Sequence, residues 1–325
     1  MLSRRFSLVS SVLGVTLVAA AACGSGTQQL PPPGEAGPST VVDPDPAPIG
    51  PDTVLASVVV GGGLLTPEAA FTMMPVVVIY DDGRVISQGP QIAIFPAPAL
   101  PSVHVTNLDA NGLAQLRAVL ADSALVDSDP DFGEMLVADA PATTLSFTVG
   151  GTTTTHVVRA LGFDAGHLDE SVRAARRLVA DVVGVLTNPA VTVGADHVSE
   201  STPFVADRFR LRITDASAYY PVPDPSGSDE RSEPSFEVVP WTSSVVLEDA
   251  ACVAVEDPDE VAAVAELFAG ASQLTLFSAP TTSAERDAEP RATPRVPPTF
   301  AVTARPVLPR SHPPALASSR FTSKV

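Results

Sequence analysis

Val76-Val77-Val78-Ile79-Tyr80-Asp81-Asp82-Gly83-Arg84-Val85-Ile86 decides the fold. Two apolar, β-branched runs flank an Asp-Gly step. The flanks favour a half-buried pleated surface, and Gly supplies the positive φ of a tight turn, so the stretch predicts a β-hairpin. Upstream, residues 54–60 read as a strand ended by Gly61-Gly62-Gly63. Downstream, residues 91–95 read as a further strand, 96–101 as a stiff Pro-rich extended loop, and 103–105 as another strand.

Helical periodicity begins beyond this cluster. Residues 109–123 place Leu113, Leu116, Val119 and Leu120 on one face. Thr-rich strands follow over 143–149 and 154–160, joined across Gly150-Gly151. Residues 168–186 place Leu168, Val172, Ala175, Leu178, Val182 and Leu186 along one stripe, with Arg173, Arg176 and Arg177 mainly off it and Pro189 as the stop. Strand patterns resume at Phe209-Arg210-Leu211-Arg212-Ile213 and over 245–255. Asp257-Pro258 then caps a helix running to Ala269, and strands over 274–277 and 300–307 close the pattern. The chain therefore reads as α+β, with mainly antiparallel sheets and about three helices. Residues 54–190 form one α+β domain and 204–309 a second unit. Whether these are separate domains or one continuous sheet stays open.

The N-terminus carries a different message. Arg4-Arg5 precedes an uncharged apolar run over residues 6–22, the pattern of an export signal. Ala20-Ala21-Ala22-Cys23 resembles the lipobox of bacterial lipoproteins, with Ala20 where Leu is usual. The resemblance implies acylation of the Cys23 thiol before the signal is cut. A twin-arginine route is an alternative to the general secretory one, although Ser7 stands where that signal usually has Phe. Residues 23–53 are rich in Pro, Gly, Ser and Thr and read as a disordered tether; residues 310–325 read as a disordered tail. The expected location is the outer face of the cytoplasmic membrane, held there through the lipid.

Charge excludes one class of partner. The 325-residue chain has a net charge of −18, and removing Arg4 and Arg5 with the signal takes it to −20. Such a surface repels phosphate backbones, so nucleic acid is not expected as a partner. With Cys23 acylated, Cys252 has no in-chain partner and is expected to be an inert, unpaired thiol buried in a strand.

Tyr80-Asp81-Asp82-Gly83-Arg84-Val85, Phe95-Pro96-Ala97-Pro98-Ala99-Leu100-Pro101, Asp139-Ala140-Pro141-Ala142-Thr143-Thr144 and Arg305-Pro306-Val307-Leu308-Pro309 together resemble a family of uncharacterised secreted actinobacterial lipoproteins. The resemblance covers most of residues 54–309. It implies location and architecture, and no activity. The family pattern has a Cys after its last phrase, where Arg310-Ser311-His312 stands here, so a disulfide from that position to Cys252 does not carry over.

Catalytic signatures do not emerge. Lys324 is the sole Lys, so neither a phosphate-binding Gly-Lys-Ser/Thr loop nor a Ser-x-x-Lys site exists. No two of the five His are at metal-ligand spacing. Asp127, Asp129 and Asp131 alternate as hard-cation ligands do, but Gly133 falls one position late for a calcium loop and Ala138 replaces its terminal Glu. A solvated acidic loop is the favoured reading there. His156 with Asp139 is a further metal candidate, set against an exposed strand histidine. Tyr219, Tyr220 and Trp241 are candidates for an aromatic cleft beside an acidic loop over 221–234, with core packing at least as well supported. The chain is thus expected to be a lipid-anchored envelope protein, a binding or interaction module without cofactor. The alternatives are a hydrolase assembled from distant residues and a structural envelope component.

Overall fold

The computed structural model describes residues 52–216, 236–247, 252–279 and 299–309. The expected signal over 1–22, Cys23, nearly all of the expected tether over 23–53, the expected acidic loop over 221–234, Tyr219, Tyr220 and the expected tail over 310–325 lie outside the described residues.

The α+β class is realised as two sheets. The first has seven strands: β1 (Val54–Gly61), β2 (Val77–Tyr80), β3 (Arg84–Gln88), β4 (Val103–Asn107), β5 (Ala142–Val149), β6 (Thr152–Arg159) and β7 (Thr202–Pro203). Their order is β6-β5-β1-β2-β3-β4-β7, and every pairing is antiparallel. The second has five: β8 (Phe209–Asp215), β9 (Glu237–Pro240), β10 (Cys252–Val255), β11 (Thr275–Ser278) and β12 (Thr299–Pro306), in the order β10-β8-β12-β11-β9. Only the β11–β9 pairing is parallel.

All four residues of β2 are buried. Successive strand side chains point to opposite faces, so a fully buried strand needs cover on both. Val77 and Ile79 enter the main core, beneath α2 (Ala110–Ala121) and α3 (Glu170–Thr187), with Leu116, Leu120, Val179, Val182 and Leu186. Val78 and Tyr80 face the other way and join Met74, Ile86 and Val103. Each fully buried aliphatic side chain contributes roughly 1.5–3 kcal/mol of transfer free energy, which makes the helix-covered face the main source of cohesion.

The hairpin forms as the sequence predicts, with Val78 opposite Ile86 and Ile79 opposite Val85. Its connection is Asp81-Asp82-Gly83. Gly83 has φ +91°, and a Cβ there would lie 2.5 Å from the Leu108 carbonyl oxygen. The Leu108 N–H in turn donates to the Gly83 carbonyl at 2.8 Å. The turn therefore fixes the approach of β4 to α2.

Two of the three long helices start where a side chain satisfies their first N–H groups. Asp109 caps α2 by accepting from the Gly112 N–H at 2.8 Å, and His197 Nδ1 lies 2.9 Å from its other oxygen. The Gly112 N–H first, and His197 second, hold the Asp109 carboxyl below its ordinary range. Asp257 caps α5 (Pro258–Ala269), with Pro258 at its first position. Pro189 ends α3 as expected but also opens α4 (Pro189–Val193), because a proline at the first position gives up no helical hydrogen bond.

Several expectations require correction. Residues 91–95 form no strand; they make an exposed loop. Within 245–255 only Cys252–Val255 is strand among the described residues, because Trp241–Leu247 folds as a loop around the Trp241 ring. The sequence reading missed β9 and also α1 (Pro67–Thr72), although Thr66 caps α1 and Pro67 opens it.

The last described residues join the sheets. After β12, Leu308 enters the cluster of Met74, Val78, Tyr80, Ile86 and Val103. The Tyr80 hydroxyl donates to the Pro309 carbonyl at 2.9 Å in a buried setting, and burial raises the phenol pKa above its ordinary value. Tyr80→Phe deletes one net hydrogen bond and is expected to lose about 1 kcal/mol in chemical denaturation. Gly83→Ala forces both a left-handed conformation and a backbone clash, and is expected to lose more, about 1–3 kcal/mol. The reverse order of the two losses would contradict this account of the hairpin.

Candidate functional site

Period-2 alternation sets what the second sheet shows to each side. Phe209, Leu211 and Ile213 of β8 are buried in the core with Val261, Val264 and Phe268 of α5. Arg210 and Arg212 must then lie on the opposite face. Register extends that face across the neighbouring strands: Arg305 of β12 stands opposite Arg210, and on β10 Cys252 stands opposite Arg212 and Ala254 opposite Arg210. Helix α1 lies over this side. Its Glu68 pairs with Arg212 at 3.1 Å, and the Arg305 guanidinium sits 5.6 Å from the centre of its Phe71 ring.

The ten arginines among the described residues divide sharply. Arg84, Arg117, Arg173, Arg177, Arg208 and Arg212 pair with carboxylates. Arg159 and Arg176 donate to backbone carbonyls. Arg210 and Arg305 have no carboxylate partner among the described residues, yet they face one another. Burial, and then the positive charge of Arg210, lowers the Arg305 pKa: its charge is held where the loss of water and a like neighbour both disfavour it. Like charges directly opposite in a sheet destabilise it.

The residues singled out by sequence fall elsewhere. Asp127, Asp129 and Asp131 lie on an exposed loop. Asp131 accepts from the Gly133 N–H at 2.8 Å, an ordinary local turn contact. Among the described residues, no three His, Cys, Asp or Glu side chains converge as a metal site would require. His156 is buried, not exposed: its Nε2 is 3.0 Å from the Leu125 carbonyl oxygen, and Phe132 meets its ring edge-on. Trp241 is a core residue, donating to the Val245 carbonyl at 2.7 Å and packing against Phe277. Cys252 departs from expectation twice. Its side chain is exposed, because Val253 and Val255 take the core side of edge strand β10, and it is disulfide-bonded. The chain's other cysteine, Cys23, lies outside the described residues.

Arg176 was expected off the core stripe of α3, but it is buried. Its guanidinium donates to the carbonyls of Phe132, Arg159 and Ala160, at 3.1, 3.0 and 2.6 Å. This fork ties the loop after residue 131 to the end of β6.

Two further surfaces stand out. An open groove of about 620 Å³ lies between β9 and α5, bearing Glu237 and Glu266 on otherwise mainly apolar walls. The loop over 91–95 exposes Ile92, Ile94 and Phe95. Among the described residues no helix is long and apolar enough to cross a membrane. No family model matches the chain, and no curated protein or solved structure matches it.

Sequence periodicity assigned β8 but could not show that Arg305, almost a hundred residues later, is the cross-strand neighbour of Arg210. The available signal was the alternation of Arg with apolar residues in a strongly acidic chain. Arg176→Ala leaves three inward carbonyls without their charged donor. Loss of charge-assisted bonds of this kind predicts about 2–4 kcal/mol of destabilisation in urea unfolding. A loss under 1 kcal/mol would contradict a structural role for the fork.

Proposed function

We propose that the chain is an exported, non-catalytic interaction module of the cell envelope, anchored through a lipid on Cys23 at the outer face of the cytoplasmic membrane. Arg4-Arg5, the uncharged run over 6–22 and Ala20-Ala21-Ala22-Cys23 support the placement. Two acyl chains suffice for stable anchoring, since each buried methylene contributes about 0.8 kcal/mol.

One observation carries the interaction role. Between Arg84 and Asp109 the chain has no Asp, Glu, Lys or Arg, and this stretch holds Ile92, Ile94 and Phe95 at 62%, 56% and 78% exposure. Single exposed apolar residues are ordinary on a protein surface. Three within four positions, on a charge-free loop of an otherwise acidic chain, concentrate exposed apolar surface where a partner can cover it without desolvating an ion of that loop.

Cys252 sharpens the test of placement. One sulfur cannot hold both a thioether and a disulfide, so acylated Cys23 and an in-chain bond from Cys252 to Cys23 exclude each other. Acylation precedes signal cleavage in lipoproteins, so the lipidated form proposed here is one in which Cys252 lacks an in-chain disulfide, and the disulfide at Cys252 in the structure is the observation that stands against it. The N-terminal peptide of mature protein, digested without reductant, is expected to carry the mass of a diacylglyceryl cysteine, and Cys23→Ala is expected to leave the membrane fraction. A peptide pair linked through Cys23 and Cys252 would refute lipidation.

For the interaction role, a photo-cross-linking residue placed at position 95 in living cells is expected to give discrete adducts. The same residue at position 191, where Val191 is 80% exposed on α4, serves as control. Equal yields at both positions would remove the loop from the account.

A further inference from the structure

We propose that Arg210 and Arg305 form a binding site for the dianionic phosphate of a small phosphomonoester, on the face of the second sheet opposite α5. The site is distinct from the apolar loop over 91–95 and does not depend on lipidation of Cys23.

Four observations converge. The two arginines are direct cross-strand partners, so their side chains leave the same face from Cα atoms about 5 Å apart. Neither is neutralised by a carboxylate among the described residues, although the neighbouring Arg208 and Arg212 both are, by Asp207 and Glu68. Their positive charge stands against a chain of net charge −18, so the fold keeps a like-charge contact where acidic partners are plentiful. The two also differ in accessibility. Arg210 is exposed, whereas Arg305 is half-buried and lies against the Phe71 ring, which restricts its side chain.

A guanidinium presents a planar fork of N–H donors that matches phosphate oxygens, and two forks can hold one phosphate between them. A dianion balances both charges at once, whereas a monocarboxylate leaves one unbalanced. The occupant must also be compact. Glu68 stands beside the site and α1 lies over this side of the sheet, so an extended anionic surface meets a carboxylate and the negative field of the whole chain before it reaches Arg305.

Calorimetric titration of the purified protein with glycerol 3-phosphate tests this, with ionic strength held constant by NaCl. Wild type is expected to give saturable binding. Arg210→Gln is expected to weaken it at least tenfold. Arg210→Lys, which keeps the charge but loses the fork, is expected to fall between them. Arg210 is exposed and has no hydrogen-bond partner among the described residues, so its variants are expected to fold, as unchanged fluorescence of the sole tryptophan, Trp241, would verify. In melts without ligand, Arg210→Gln is expected to match or exceed wild type, because a repulsive pair is removed. Absence of saturable heat in wild type would overturn the proposal. Undiminished binding by Arg210→Gln would do the same, as would binding confined to vesicles containing phosphatidylglycerol.

Discussion

The seam at Leu308 and Pro309 is the contact on which the rest of the structure depends. Strand β12 lies between β8 and β11 in the second sheet, and the chain leaving it places Leu308 among Met74, Val78, Tyr80 and Ile86 of the first. The buried bond from the Tyr80 hydroxyl to the Pro309 carbonyl fixes the geometry of that entry. Side chains on both faces of β2 are thereby covered: the helices cover one side, and a segment more than two hundred residues away helps cover the other.

This seam also explains how the arginine face acquires its surroundings. Helix α1 follows β1 of the first sheet in the chain, yet its Glu68 and Phe71 contact Arg212 and Arg305 of the second. Without β12 held in place, Arg305 would lose both its aromatic neighbour and its register with Arg210. The same arrangement leaves the 91–95 loop outside both cores. That loop is bracketed by backbone contacts at Gly89, which donates to Ser102, and at Ala99, which donates to Ala271. The apolar tip is thus held at a defined place by residues on either side of it.

Local chemistry was legible in the sequence where one segment decides its own conformation. The Asp81–Gly83 turn, the Asp257 cap, and the alternation of Phe209, Leu211 and Ile213 all depend on neighbours within a few residues, and all appear as expected. What failed depended on partners distant in sequence. Arg176 reads as a surface residue until the carbonyls of Phe132, Arg159 and Ala160 are brought to it. His156 reads as exposed until Leu125, Phe132 and Phe147 enclose it. Cys252 sits in an apolar run, but its strand is an edge with only one side covered, and the run itself does not say which parity faces the core. The Arg210–Arg305 pair is the extreme case, since only the sheet order makes it a pair.

The central claim, that the C-terminal seam makes the two sheets unfold as one body, has a direct measurement. Trp241 is the sole tryptophan and lies in the second core, so its fluorescence reports that core alone. Amide exchange of Val77–Tyr80, followed by mass spectrometry across the same urea series, reports the first. The account predicts coincident midpoints in wild type, separating in Leu308→Ala, where the second core loses its hold on the first. Separate midpoints in wild type would contradict it, as would coincident ones in both proteins at an unchanged urea concentration.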